Sequence, residues 1–215
     1  MIEDIFSQYA VYARKADILF KTIKEKYPDS VRCRIRCCDC CYAVFGVLPI
    51  EAAFINYHFN RLERKVRRDI FRRAEKAEEE MLKAKDTLRV FEDKPDMKVY
   101  GIGKQRVRCP FLSEKEECVF YEKRPIICRV YGVPFSMFNG KKQLSYVCGL
   151  SGFEAKSTYP TVKLDNIYKE FIRLSIELFK NEGYLNPAAK ASLMLPLSRV
   201  LRMPFDDIVK GNFEA

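Results

Sequence analysis

Five cysteines fall within nine residues, Cys33, Cys37, Cys38, Cys40 and Cys41 in CRIRCCDCC, and four more follow at wider spacing, Cys109, Cys118, Cys128 and Cys148. So dense a set of thiols has three physical uses: disulfides, metal binding or redox chemistry. A chain of 215 residues buries a sufficient core without covalent staples, so stability alone does not call for nine cysteines. Disulfides fit poorly. Cys37 and Cys38 are sequence neighbours, as are Cys40 and Cys41, and a bridge between neighbours is badly strained. The odd count leaves one thiol over. The N-terminal stretch MIEDIFSQ lacks the basic, apolar and cleavage regions of a secretory leader. No apolar run reaches the roughly 18 residues of a membrane span. A cytoplasmic protein is therefore expected, and there thiols stay reduced.

The formal charge of +10 invites a nucleic-acid reading. Bound metal changes the count: eight thiolates contribute −8 and two divalent zinc ions +4, lowering the formal +10 to +6. Two tetrathiolate 4Fe-4S clusters in their oxidised state give the same sum. Part of the basic excess then balances the metal. A basic run (Arg61, Arg64, Lys65, Arg67, Arg68, Arg72, Arg73) is followed at once by Glu75, Glu78, Glu79 and Glu80. A solvated face is expected there rather than a nucleic-acid interface. In one continuous helix this order of charges opposes the macrodipole, so the helix either breaks or turns its basic half towards something negative.

Apolar spacing predicts a mainly α chain. Ile2, Ile5, Phe6, Tyr9, Ala13, Ala16, Phe20 and Ile23 keep helical period over residues 2–26, stopped by Pro28. A second helix should start at Pro49, a good first-turn residue, and continue or restart into 61–88. Residues 89–108 read as turn-rich, and 109–148 as short loops, turns and a few strands. Asp165 is a plausible N-cap for a helix ending at Gly183, and two short helices should follow near 187–194 and 197–203. The expected organisation is one domain over 1–215. Helices clamp a loop-dominated, cysteine-rich metal-binding region at 30–150, and 160–205 form a C-terminal helical segment.

Soft thiolates select zinc, copper(I) or iron–sulfur clusters. A zinc ribbon needs two C-x₂-C knuckles, and the downstream gaps here are too wide for the second. The spacing Cys33-x₃-Cys37-x₂-Cys40 lets three ligands reach one 4Fe-4S cube. Radical S-adenosylmethionine enzymes share it, but on an α/β barrel whose strand–helix alternation this chain lacks. His58 is the single histidine, without a second imidazole beside it, and is not expected to be a ligand. Phosphate loops, dinucleotide fingerprints and serine elbows are missing; Gly101-x-Gly103 is too weak to count. Arginines flank the thiols: Arg32, Arg34, Arg36, Arg106, Arg108, Arg124 and Arg129. Arg124 and Arg129 are expected to support the anionic site, since cations favour thiolates. The others are expected to be solubilising charges. Tyr121 and Tyr131 seal the site from water, donate to sulfur or pack in the core.

CRIRCCDCC, CPFL at 109–112, CVFYEKRPIICRVY at 118–131 and Cys148 together resemble the YkgJ-like cysteine-cluster family, a zinc- or iron-chelating domain with a CxxCxxCC signature. The resemblance covers about residues 30–150. It implies eight metal ligands: Cys33, Cys37, Cys40, Cys41, Cys109, Cys118, Cys128 and Cys148. The first gap here is three residues rather than two, and Cys38 stands where the signature has a small residue, so Cys38 is read as a ninth, non-ligand thiol. Eight thiolates suit two four-coordinate sites, with Cys40 and Cys41 serving one each. A flagellin lysine N-methylase resembling this family carries such a domain with an iron–sulfur cluster, which makes iron a cofactor to expect beside zinc. Three classes of function stay open: a metal-binding or metal-handling protein with a protein acceptor, an iron–sulfur enzyme or accessory in protein or peptide modification, and a zinc-stabilised interaction module for an acidic partner or nucleic acid. The sequence leaves the oligomeric state open.

Overall fold

A computed structural model describes residues 2–88, 105–138, 141–154, 157–184 and 186–213. The turn-rich reading of 89–104, with Gly101 and Gly103, lies outside the described residues. Eight α-helices and five short strands are found among those described, so the chain is mainly α. Helix α1 spans Ile2–Lys26, as its apolar period predicts. Its first turn carries Glu3 and Asp4 and its last Lys24 and Lys26, the charge order that suits the macrodipole. It buries Ile5, Phe6, Tyr9, Ala13, Ala16 and Ile23 on one face.

Helix α2, Pro49–Phe59, begins on the expected proline and is buried on nearly every side. A helix apolar all round belongs in the middle of a core. Helix α1 packs on it, as do α5 (Leu164–Asn181), α7 (Leu197–Arg202) and α8 (Phe205–Val209). The two polar residues carried inside are both satisfied. Asn56 donates through Nδ2 to the carbonyls of Val200 at 2.8 Å and Met203 at 3.0 Å. Glu51 accepts from Tyr9 Oη at 3.3 Å and from the Ile126 amide at 2.8 Å.

Helix α3, Arg64–Leu88, starts after a turn at 60–63 and runs on without a break through the basic-then-acidic sequence. Packing decides against the macrodipole here, because Ile70, Ala74 and Ala77 bury a stripe and α3 packs on α7. Ser198 Oγ donates to Glu78 Oε2 at 2.5 Å across that seam. Arg73 reaches instead to the Pro110 carbonyl at 2.7 Å, tying α3 to the first downstream cysteine loop.

Strand β1 (Gly46–Val47) pairs antiparallel with β5 (Leu195–Pro196). In the second sheet β2 (Phe135–Phe138) lies between antiparallel β3 (Gln143–Tyr146) and parallel β4 (Val162–Lys163). Helix α5 differs from expectation at its start. Lys163 occupies the N-cap position, and Asp165, already one residue inside the helix, accepts from the Phe138 amide at 2.9 Å and Gln143 Nε2 at 2.8 Å. Its carboxylate fastens the β2–β3 hairpin instead of capping its own helix. The end is as expected: Gly183 takes φ +76°, and the Tyr184 and Gly183 amides return to the Phe179 and Lys180 carbonyls. The expected helices after Pro187 are shorter, α6 at Ala188–Ala191 and α7, with α8 unforeseen after Pro204.

Candidate metal centre

In the cysteine region, helix α1 packs directly on a short helix, α4, Ile126–Val130, which carries Cys128. Two chain segments run side by side there. Residues 39–42 form one 3₁₀ turn, Ala43 bridges Arg106 antiparallel, and the Cys109 amide donates to the Cys41 carbonyl at 2.7 Å. Leu112 then bridges Cys118, closing a small hairpin. Pro125 precedes α4, and the α4 N-terminus rests on the buried Glu51 carboxylate. This places Cys128 towards the 3₁₀ turn.

All nine cysteines are free thiols. Eight are partly buried and Cys148 is buried. Eight of them gather in two groups. In the inner group, Cys40, Cys109, Cys118 and Cys128 lie within electrostatic reach of one another, and Cys41 faces Cys109 and Cys118. In the outer group, Cys33, Cys37 and Cys148 face one another, and Cys33 also senses Cys40. Cys40 and Cys41 are joined by a thiol–thiol hydrogen bond, which lowers the first and raises the second. Cys38 lies on the wall of an open cavity, where Glu116 acts on it more strongly than Cys37 and Cys40 do. Among the described residues, no three His, Cys, Asp or Glu side chains are drawn tightly enough to hold an ion as they stand.

Burial dominates the acidity of these thiols. It pushes Cys33 and Cys109 up to about 12, and Cys118, Cys128 and Cys148 upward as well. Backbone donors oppose it. The Phe111 amide favours the ionised Cys109 sulfur, that of Phe120 the Cys118 sulfur and that of Leu150 the Cys148 sulfur, while the Leu112 amide donates to the Cys109 carbonyl at 3.0 Å. At three separate cysteines, then, the amide two residues on favours the thiolate. Such donors stabilise a thiolate and leave a neutral thiol nearly indifferent.

The surrounding charges are more divided than the sequence suggests. Arg124 favours the ionised form of Cys40, Cys118 and Cys128, stacks on Tyr121 at 4.0 Å and pairs with Asp17 at 2.8 Å. Arg129 is buried, 6% exposed, and its donors are spent on Asp17 and the carbonyls of Glu122 and Arg124. It braces the loop that carries Arg124. Tyr121 is exposed, and Tyr131 serves Asp39 rather than a sulfur. Asp39 also pairs with Arg106 at 2.6 Å and meets Cys148 Sγ at 3.5 Å. His58 lies away from the thiols, edge-on to Phe54 and Tyr57.

Four residues were not singled out from the sequence: Asp17, Asp39, Glu51 and Gly132. A Cβ on Gly132 would overlap the Cys33 sulfur and stand 3.1 Å from the Phe20 ring. Only the position of Gly132 in RVYGV, just after the last motif arginine, hinted at a close approach.

No curated protein and no solved structure matches the chain. Residues 32–149, more than half of the chain, match the family CxxCxxCC, described as "Putative zinc- or iron-chelating domain". The soft donors gathered here are of the type that zinc and iron take, and the chain belongs to the CxxCxxCC family of zinc- or iron-chelating domains.

Proposed function

We propose that the chain chelates zinc or iron through eight thiolates shared between two neighbouring sites. The observation that supports this best is the recurrence, two residues after each of Cys109, Cys118 and Cys148, of a backbone amide that favours the thiolate. Buried thiols kept only for packing have no use for such donors. Cys41, Cys109, Cys118 and Cys128 hold the inner site. Cys40 lies within reach of the inner thiols and of Cys33, and it completes the outer site with Cys33, Cys37 and Cys148, which would otherwise have three thiols. Cys40 and Cys41 then serve one site each, giving up their mutual hydrogen bond. A bound ion supplies the positive charge that turns these buried thiols into thiolates. Cys38 is left outside the ligand set.

The test is purification without oxygen, followed by metal and sulfide analysis and a visible spectrum. Iron with sulfide and broad brown absorbance identifies an iron–sulfur centre. A colourless protein with zinc identifies zinc. A folded chain with neither metal overturns the proposal, and so do Cys40→Ser and Cys41→Ser variants that both keep full metal content.

A further inference from the structure

Beside the outer thiols opens a cavity of about 840 Å³. Its wall carries Cys33, Cys37, Cys38 and Cys148, a single carboxylate, Asp39, and four arginines, Arg32, Arg34, Arg36 and Arg106. Asp39 is already engaged by Arg106 at 2.6 Å. Among the described residues Arg36 has one side-chain partner, an exposed contact of 3.4 Å to Glu117, of a kind that holds a side chain weakly. Arg32 and Arg34 have no ion pair or hydrogen bond from their side chains to any described residue. Three arginines therefore line one concavity, and among the described residues only the exposed Glu117 contact on Arg36 offsets them. A divalent ion held by four thiolates would bring a net −2 to the floor of the cavity, still short of those three positive charges.

The backbone gives an independent sign. Arg36 sits at φ +66°, in the left-handed region that an arginine adopts at a cost and a glycine would adopt freely. The turn is fixed by the Cys37 amide donating to the Arg34 carbonyl at 2.9 Å. Solubilising charge alone needs neither a concave wall nor a strained turn. Size narrows the class of ligand. Small-molecule sites run to roughly 300–1,000 Å³, and this cavity falls within that range.

We infer that this cavity binds a small organic polyanion, a molecule with two or more carboxylate or phosphate groups, held by Arg32, Arg34 and Arg36 against the outer thiol group. The inference rests on the two-site reading only for what forms the cavity floor, because the arginines carry the recognition. Guanidinium forks match both oxyanions in bidentate geometry.

The experiment titrates the purified, metal-analysed full chain with citrate and with ADP at low ionic strength, following the heat. One saturable site per chain for either probe is expected, weakening about tenfold or more when salt rises to about 0.5 M. Citrate alone marks a carboxylate ligand, and ADP alone a phosphate ligand. Replacing Arg34→Ala together with Arg36→Gly, the latter relieving the strained backbone, should weaken binding about tenfold or more with metal content unchanged. Arg34→Lys keeps the charge and loses the fork, and should fall between. Silence from both probes at low ionic strength, or binding indifferent to salt and to all these variants, overturns the inference. Anion binding by a chain that holds neither zinc nor iron would sink the chelation reading and leave the anion site standing. Metal without anion binding would do the reverse.

Discussion

Gly132 is the residue on which the outer group turns, since any side chain there enters the space of the Cys33 sulfur. Gly132→Ala is expected to displace Cys33, lower the metal content by one ion per chain and cost about 1–3 kcal/mol as an overpacked site; elemental analysis and denaturant unfolding check both. Glu51 offers a second test at this scale. Burial pushes its carboxyl up to about 7 from an ordinary 4.5. An acid raised on folding contributes its full stability below pH 4.5 and loses it as pH rises through 7. His58, held down to about 4 by burial, works in the opposite sense and costs stability as pH falls below 6.5. Glu51→Gln keeps an acceptor for Tyr9 and the Ile126 amide but cannot ionise. Relative to the unmodified chain, it should gain about 2–3 kcal/mol between pH 5 and pH 8, read by denaturant unfolding at each pH. No gain would show that Glu51 ionises in the fold without cost. Neither residue stood out in the sequence, because a glycine's contact and a glutamate's burial are settled by distant neighbours.

At the scale of elements, α1 does more than cover the core. Its Asp17 binds both Arg124 and Arg129, the two arginines of the RPxxCR segment, and so fixes α4 beside the inner thiols. Asp17→Ala leaves the buried Arg129 with carbonyl partners only. A loss of about 2–3 kcal/mol is expected, towards the low end for a broken buried pair because Asp17 is itself part-exposed. Denaturant unfolding measures it, and a change under 0.5 kcal/mol would mean the carbonyls suffice. Helices α1, α2 and α3 and the stop at Gly183 were legible from apolar period and punctuation. The start of α5 was not, since Asp165 has two uses and only the neighbouring hairpin decides between them. The polarity of α3 was read as a conflict. The fold accepts it, because the buried stripe outweighs a macrodipole effect of about 0.3–1 kcal/mol.

For the whole molecule, one hydrophobic cluster runs from Ile5 on α1 to Phe213 near the C-terminus, and the thiol groups sit at its edge. Among the described residues, no helix is long and apolar enough to cross a membrane. Because burial keeps most of these thiols protonated, loading with zinc near pH 7.5 should release close to one proton for each thiol that binds. Calorimetry in buffers of different ionisation enthalpy counts them, and release of far fewer would mean that the thiolates exist beforehand. Metal removal should loosen residues 31–43, 105–138 and 141–153 first, while α2 and α5 keep slow amide exchange, as the core does not depend on the ion. Equal loss of protection throughout would show the metal to hold the entire fold. The sequence by itself determined the mainly α class, the principal helices, the thiol inventory and the family, because apolar period and cysteine spacing are local quantities. Only the tertiary structure decided how eight of the nine thiols gather into two groups, which arginines are spent on Asp17 and which line an open cavity, because those outcomes depend on where residues far apart in the chain are brought together.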